Sequence, residues 1–258
     1  MNTIAAAATT AARPQPAKGA TPVGGEQALL RLARQSGVLG CLPEADLLPM
    51  LRRANLRYLR ARETLFSLGE KGNSIVLILD GYMKLSSVTP SGHEIVLEIA
   101  GPGRVFGELA VLNDWPRSAD AVSLTPCQVL SIDGKQLMAA MRRSPDALLA
   151  TTRMISERLR ATTEQLVNGV TLSAPARLAK ALLHLAALHS HFEDGGLHID
   201  LELSQRELGG MTDLTRESIN KHLSAWRDAG WVRPSGKTIM LTDVDALHDL
   251  LGQHALVV

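Results

Sequence analysis

The sequence predicts an α+β chain: an N-terminal antiparallel β-roll of jelly-roll type, one long amphipathic helix, and a C-terminal winged helix-turn-helix unit. Three observations carry that reading. Short apolar runs punctuated by glycine fill the stretch from Leu56 to about Asp133, a seam of apolar residues spaced by four and three follows from Leu148, and two short helical patterns separated by a turn lie between Ser204 and Gly230. At 258 residues, 45% of them apolar, the chain is long enough for two cores.

Residues 1–25 are rich in Ala, Thr, Pro and Gly, with almost no bulky apolar side chain to offset ordering entropy. They are expected to form a disordered tail. A helical pattern begins at Glu26, with Leu29, Leu30 and Leu32 and then Leu47, Leu48 and Leu51. It opens a unit spanning 26–145, a roll with flanking helices. Its strand candidates run from Thr64 to Leu68, Ser74 to Leu79, Met83 to Val88, Glu94 to Ile99 and Cys127 to Ile132. Glycines between such short runs imply antiparallel turns and a barrel or roll.

Residues 146–172 read as one helix. Positions 148, 152, 155, 159, 162 and 166 are Leu, Thr, Ile, Leu, Thr and Leu, the stripe of a two-stranded coiled coil. The helix is expected to pair with a copy of itself, although packing on its own domain is the commoner fate of an amphipathic helix. Thr162 and Thr163 put hydroxyls where hydrocarbon is usual, so they must bond the helix backbone or meet a ligand. Ser173 and Pro175 then suit the start of a new helix and of a unit spanning 173–258.

Candidate binding residues cluster in Phe106-Gly107-Glu108-Leu109-Ala110, followed by Pro116-Arg117-Ser118-Ala119. This pattern, with Gly69, Gly81 and Gly101 upstream, resembles the cyclic-nucleotide cassette of the cyclic AMP receptor protein and FNR (Crp/Fnr) superfamily, from about Leu56 to the C-terminus. The resemblance implies that Gly107, Glu108 and Leu109 line the ligand, with Glu108 on the ribose hydroxyl. Arg117, Ser118 and Ala119 take the phosphate, and Thr162 and Thr163 meet the base from two subunits.

The chemistry agrees. A guanidinium grips phosphate oxygens with forked donors, adjacent backbone N–H groups make an anion nest, and a carboxylate accepts from a ribose hydroxyl. The paired hydroxyls favour cyclic AMP, but threonine both donates and accepts, so cyclic GMP also fits. Cyclic di-GMP, or no effector at all, is the alternative. In the ligand-free alternative, Glu108 and Arg117 form an ion pair.

Ser204 and Glu207 form a capping box that starts one helix, and Thr215 opens a second after a turn at Asp213. In a helix-turn-helix the second helix reads the major groove. Arg216 suits guanine, Glu217 cytosine, Asn220 lies on the same turns, and Lys221 reaches a further guanine, while Ser204, Gln205 and Thr215 face phosphates. The resemblance supports these roles, with two departures: Lys221 stands where an arginine is familiar, and Asp213 replaces a turn glycine. A merely solvated Arg-Glu-Asn-Lys face is the plain alternative. Trp226 and Trp231 should pack the small core, and strands around Lys237 to Leu241 look like a wing.

Charge offers no support of its own. The chain carries 27 Lys and Arg against 26 Asp and Glu, and beyond Pro175 acidic residues outnumber basic ones, so contacts with double-stranded DNA, an inverted repeat read by a homodimer, must come from local clustering. Cys41 and Cys127 lie too far apart for a disulfide framework or a metal ligand pair and are expected to be reduced. Two thiols are too few for an iron–sulfur cluster, and His93 sits in a polar turn, so neither cluster, haem nor other metal is expected. No apolar run reaches the roughly 18–20 residues of a membrane span, and the expected location is the cytoplasm. The chain has no P-loop, Gly-x-Ser-x-Gly or His-Glu-x-x-His, which argues against an enzyme. The polar loop from His189 to Gly196 is a candidate contact for RNA polymerase.

Overall fold

A computed structural model describes residues 25–235 and 238–252. The expected tail, Gly25 apart, and Lys237 of the wing lie outside the described residues.

Three helices lead in: α1 (Gly25–Gln35), α2 (Gly37–Gly40) and α3 (Glu44–Arg53). The roll follows as β1 (Asn55–Leu59), β2 (Thr64–Phe66), β3 (Ser74–Asp80), β4 (Met83–Val88), β5 (Glu94–Ala100), β6 (Val105–Phe106), α4 (Glu108–Asn113), β7 (Asp120–Ser123) and β8 (Cys127–Asp133). Its strands form two antiparallel sheets, ordered β1-β8-β3-β6 and β2-β7-β4-β5. The five expected strands are present, and β1, β6 and β7 join them.

The unbroken apolar run of β3 has a structural reason, because successive side chains point to opposite faces of a sheet. Val76 and Ile78 face the roll interior with Phe66, Met83, Phe106 and Val129. Ile75 and Leu77 face the lead-in helices with Leu39, Leu47 and Leu51, so this strand is buried on both sides.

Helix α5 (Gly134–Met141) leads to α6 (Pro145–Thr171). Ser144 caps α6, accepting from the Ala147 N–H at 3.3 Å, and Pro145 occupies the first turn. Ala147 and Thr151 are buried and Ile155 is half-buried, but the seam beyond them is bare: Leu159 is 67% and Leu166 71% exposed. Packing on its own domain therefore accounts for α6 only as far as about Arg158.

The last unit comprises α7 (Ala174–His189), β9 (Ser190–Glu193), β10 (Gly196–Ile199), α8 (Gln205–Thr212), α9 (Arg216–Asp228), β11 (Val232–Ser235), β12 (Thr238–Leu241) and α10 (Val244–Gly252). Its strands run β11-β12-β10-β9. The expected polar loop at 189–196 is instead a hairpin. Asp194 and Gly195, at φ 46° and 82°, turn it in two residues, the Asp-Gly geometry that matches strand twist. Trp226 is buried beside Trp231, ring centroids 6.3 Å apart.

The roll and this unit share an interface. Tyr82 and Ile99 of the roll pack against the C-terminal core, and the Tyr82 ring meets His189 edge-on at 4.9 Å. Helix α8 lies close on β5: a Cβ at Gly210 would sit 2.8 Å from the Glu94 carbonyl oxygen. No helix among the described residues is long and apolar enough to cross a membrane.

Candidate functional site

The chain leaves β6 at Phe106 and turns into α4 through Gly107, whose φ of 85° is a left-handed conformation suited to glycine. A Cβ there would collide with Arg117 Nη1. Opposite, the segment before β7 is stitched to the β2–β3 connection by the Arg117 N–H donating to Glu70 O at 2.8 Å and the Gly69 N–H donating to Arg117 O at 2.9 Å. These bonds turn the Arg117 side chain inward, where it is 6% exposed.

Arg117 is a buried cation with neutral company. Nη1 donates to Ser74 O at 2.8 Å and Gly107 O at 3.1 Å, and Nη2 donates to Ser74 Oγ at 3.1 Å. The guanidinium stands over the Phe66 ring, 4.1 Å from its centroid, and Nε has no partner. No carboxylate among the described residues lies within ion-pair distance of it. Burial pushes its pKa below the usual arginine value, against the more distant charges of Glu70 and Glu108. A desolvated charge without a counterion is costly, and an anion seated here would relieve that cost. The neighbouring N–H groups of Ser118 and Ala119 have no acceptor among the described residues, and Ser118 is exposed.

Glu108 is 4% exposed and does not pair with Arg117. The alternative ion pair is thus corrected: Glu108 Oε1 accepts from Arg158 Nη1 on α6. Arg158 also donates from Nη2 to Val105 O at 2.8 Å, and its Nε lies 3.3 Å from Glu98 Oε2. Burial alone would lower the Arg158 pKa, but the charges of Glu108 and Glu98 outweigh it and hold it up. Glu108 Oε2 is left buried without a donor, an acceptor of the kind a ribose hydroxyl needs. Leu109 is half-buried beside it.

Thr162 and Thr163 lie one turn further along the same helix. Their hydroxyls donate to Arg158 O at 3.0 Å and Leu159 O at 2.9 Å. That satisfies the proton, yet both side chains stay exposed with lone pairs free to accept. Trp115, between Glu108 and Arg117 in the chain, is 61% exposed.

In the helix pair, Ser204 and Glu207 form the expected capping box. Asp213 ends α8 at φ 53° and ψ 47°, the left-handed turn that its short polar side chain tolerates. Thr215 caps α9, accepting from the Ser218 N–H at 3.2 Å. Arg216, Glu217, Asn220 and Lys221 are all exposed on α9. Gln205 Oε1 accepts from Arg216 Nε at 2.8 Å and Asn220 Nδ2 at 3.1 Å, which orients the Arg216 fork and leaves its terminal nitrogens free. The Ser204 hydroxyl donates to Glu207 Oε2 at 2.7 Å, so capping already uses the proton expected to serve a phosphate.

Residues 56–144 match the cyclic nucleotide-binding domain family, and residues 176–250 the Crp-like helix-turn-helix domain family. A CRP-like cAMP-activated global transcriptional regulator of Mycobacterium tuberculosis is 32% identical over 184 residues, covering 71% of this chain and 82% of its own. The chain belongs to the Crp/Fnr family of transcription regulators. A CRP-family regulator from Thermus thermophilus superposes on this Crp/Fnr chain with a TM-score of 0.66 at 25% identity, over 76% of this chain and 96% of that one. The c-di-GMP responsive regulator of Xanthomonas campestris shares the fold, with a TM-score of 0.66 at 22% identity over 77% and 99% of the two chains.

In this Crp/Fnr regulator the structure brings Gly107, Glu108 and Arg117 together around one cradle, with Thr162 and Thr163 on the helix that supplies Arg158. Sequence reading missed Ser74, Phe66 and Arg158. Ser74 and Phe66 lie in ordinary strand patterns and reach Arg117 only through sheet pairing. Arg158 had a signal, since it precedes Thr162 by one helical turn and therefore shares its face.

Proposed function

We propose that this Crp/Fnr regulator is a cyclic AMP-controlled homodimer that reads an inverted repeat in double-stranded DNA. The observation that carries the reading is the buried Arg117 guanidinium, which has donors to spare and, among the described residues, no carboxylate within ion-pair distance. A cyclic phosphodiester supplies one negative charge, received by Arg117 and by the N–H groups of Ser118 and Ala119. Glu108 Oε2 accepts from the ribose hydroxyl while Arg158 holds Oε1. The base meets Thr162 on one helix and Thr163 on the paired copy, across the bare seam at Leu159 and Leu166.

Because Arg158 belongs to α6 and Glu108 to the roll, the ligand bridges the two and biases how α6 is held. Two copies of α9 then stand about one DNA turn apart, roughly 34 Å, with Arg216, Glu217, Asn220 and Lys221 toward base edges and Thr215, Gln205 and the Ser204 backbone toward phosphates. RNA polymerase is met by the β9–β10 hairpin, whose Phe192 is 75% exposed, and the protein works in the cytoplasm.

The test is calorimetry with cyclic AMP, cyclic GMP and cyclic di-GMP, paired with gel-shift titration on an inverted repeat. Arg117→Ala should weaken cyclic AMP binding at least about thirtyfold, since losing one partner of a buried charge pair costs roughly 2–5 kcal/mol. Effector-dependent DNA binding should weaken in step. Arg216→Ala should cost DNA affinity about 1–3 kcal/mol and leave nucleotide binding unchanged. Equal nucleotide affinity in wild type and Arg117→Ala refutes the site, and preference for another nucleotide reassigns the effector.

A further inference from the structure

The β9–β10 hairpin carries chemistry that the effector and DNA sites do not use. Its register sets His191 directly opposite His198. Side chains alternate along a strand, so Glu193 shares a face with His191, and Asp200 follows His198 by the same step. One nitrogen of each histidine and one oxygen of Asp200 lie within 4.8 Å of one another.

The ring nitrogens are arranged in a consistent way. His198 Nε2 stands 2.9 Å from Thr238 Oγ1 and 3.0 Å from Ser235 Oγ. With the Thr238 hydroxyl donating to Ser235 O at 2.6 Å, the tautomer protonated on Nε2 lets His198 donate to the Thr238 and Ser235 oxygens. In that tautomer the lone pair is on Nδ1. That atom is buried without a hydrogen-bond partner and faces Asp200 Oδ1 at 3.5 Å. Two acceptors facing each other across that gap call for a cation between them. His191 differs: Nε2 is 3.1 Å from Glu193 Oε2, while Nδ1 is hydrogen-bonded to the same Asp200 Oδ1 at 2.6 Å, so a metal ion would replace the shared proton and these two atoms would move apart to receive it.

We propose that His191 Nδ1, His198 Nδ1 and Asp200 form a binding site for a borderline divalent cation of the Zn2+ type. Glu193 and Thr238 fix the two rings by accepting from their far nitrogens, the outer-shell arrangement that sets the tautomer of a metal-ligating histidine. Ligand atoms at about 2.0–2.2 Å from a tetrahedral ion lie about 3.4 Å apart, close to the His198–Asp200 separation. Nitrogen and carboxylate ligands suit zinc, with cobalt and nickel as substitutes, and the half-exposed His191 leaves a coordination position to water. The expectation of no metal rested on cysteine spacing and single histidines; strand pairing creates this cluster. Bound metal would clip β9 to β10 and, through His198, stiffen the wing strands that carry Ser235 and Thr238.

The experiment uses the full chain, stripped with chelator and free of nucleotide, so it does not depend on the effector reading. Zn2+ uptake is followed by calorimetry, and Co2+ by the visible absorption of tetrahedral cobalt. Wild type should take up one ion per chain. His191→Gln and Asp200→Asn should each weaken binding more than about a hundredfold and abolish the tetrahedral spectrum, and Glu193→Gln should weaken it about 10–100-fold. Circular dichroism of each variant checks that it is folded. Absence of uptake by wild type, or uptake that survives in the folded His191→Gln, Asp200→Asn double variant, overturns the proposal and leaves His191 and Asp200 as a simple ion pair.

Discussion

Lys84 Nζ on β4 lies 3.6 Å from Glu207 Oε1 on α8, joining the roll to the first helix of the DNA-reading pair. The same ammonium is 2.6 Å from Glu94 Oε1 of β5, and Glu207 is reached by Arg62 from the β1–β2 turn. Lys84 and Glu207 are both buried. The residue that caps the helix-turn-helix is thus also the residue that docks it on the nucleotide-binding roll.

Lys84→Met should strand Glu94 and Glu207 as buried carboxylates with less compensation. Breaking such a pair costs about 3–5 kcal/mol, read as a lowered urea midpoint. Arg62→Ala removes a partner whose side chain is about half exposed, and should cost under about 1 kcal/mol. Equal effects of the two would contradict the central place given to Lys84.

Glu94 makes this interface sensitive to acid. Burial alone would raise its pKa, but hydrogen bonds from Lys84 and Ser86, with the charges of Lys84 and Arg206, bring it below the ordinary 4.5. Facing it are Lys84 and Ser86 from β4 and Arg206 from α8, with Glu207 sharing Lys84. A carboxyl depressed on folding stabilises above its unfolded pKa, and that stability drains away as pH falls through the folded value. Chemical denaturation should show no contribution from Glu94 to pH dependence near neutrality and a progressive loss below about pH 4.5. Glu94→Gln should flatten that acid limb; parallel limbs in wild type and variant would exclude this carboxylate as its source.

Gly107→Ala should be costlier than Gly92→Ala. Both positions have positive φ, 85° and 82°, and a side chain in that region costs about 1–2 kcal/mol. Around Gly92 a Cβ meets open space, whereas at Gly107 it strikes Arg117 Nη1. Gly107→Ala should therefore lose more stability and also nucleotide affinity, with the Gly92 variant as the control for φ strain. Calorimetry on both variants reads the difference.

Leu159 and Leu166 are the seam residues to charge. Leu159→Glu with Leu166→Glu should leave each chain folded, because neither side chain packs in its own domain, and should convert a dimer to monomers in sedimentation velocity. A dimer that persists in the double variant would place the contact between copies elsewhere.

Much of this architecture is legible in the residues because it depends on short-range rules. Glycine between apolar runs, the Leu148–Leu166 spacing, and the Ser204–Glu207 box each describe a few consecutive turns of chain, and each matches the structure. The hairpin at 190–199 was legible in principle through Asp194-Gly195, but the polarity of His191, Glu193, His198 and Asp200 masked its strands. The site was half legible. Gly107, Glu108 and Arg117 follow from a local motif, while Arg158, Ser74 and Phe66 reach them from distant parts of the chain.

The amino-acid order alone determined the kind of chain this is: where it bends, which faces are apolar, and that a guanidinium and a carboxylate stand near a tight glycine turn. Tertiary structure decided the pairings. It gave Glu108 to Arg158 and not to Arg117, left Arg117 with no carboxylate at ion-pair distance among the described residues, and set the helix-turn-helix against Lys84. The reason is physical: propensity and periodicity act over a few residues, whereas an ion pair forms wherever packing brings two desolvated charges together, regardless of how far apart they lie in the chain.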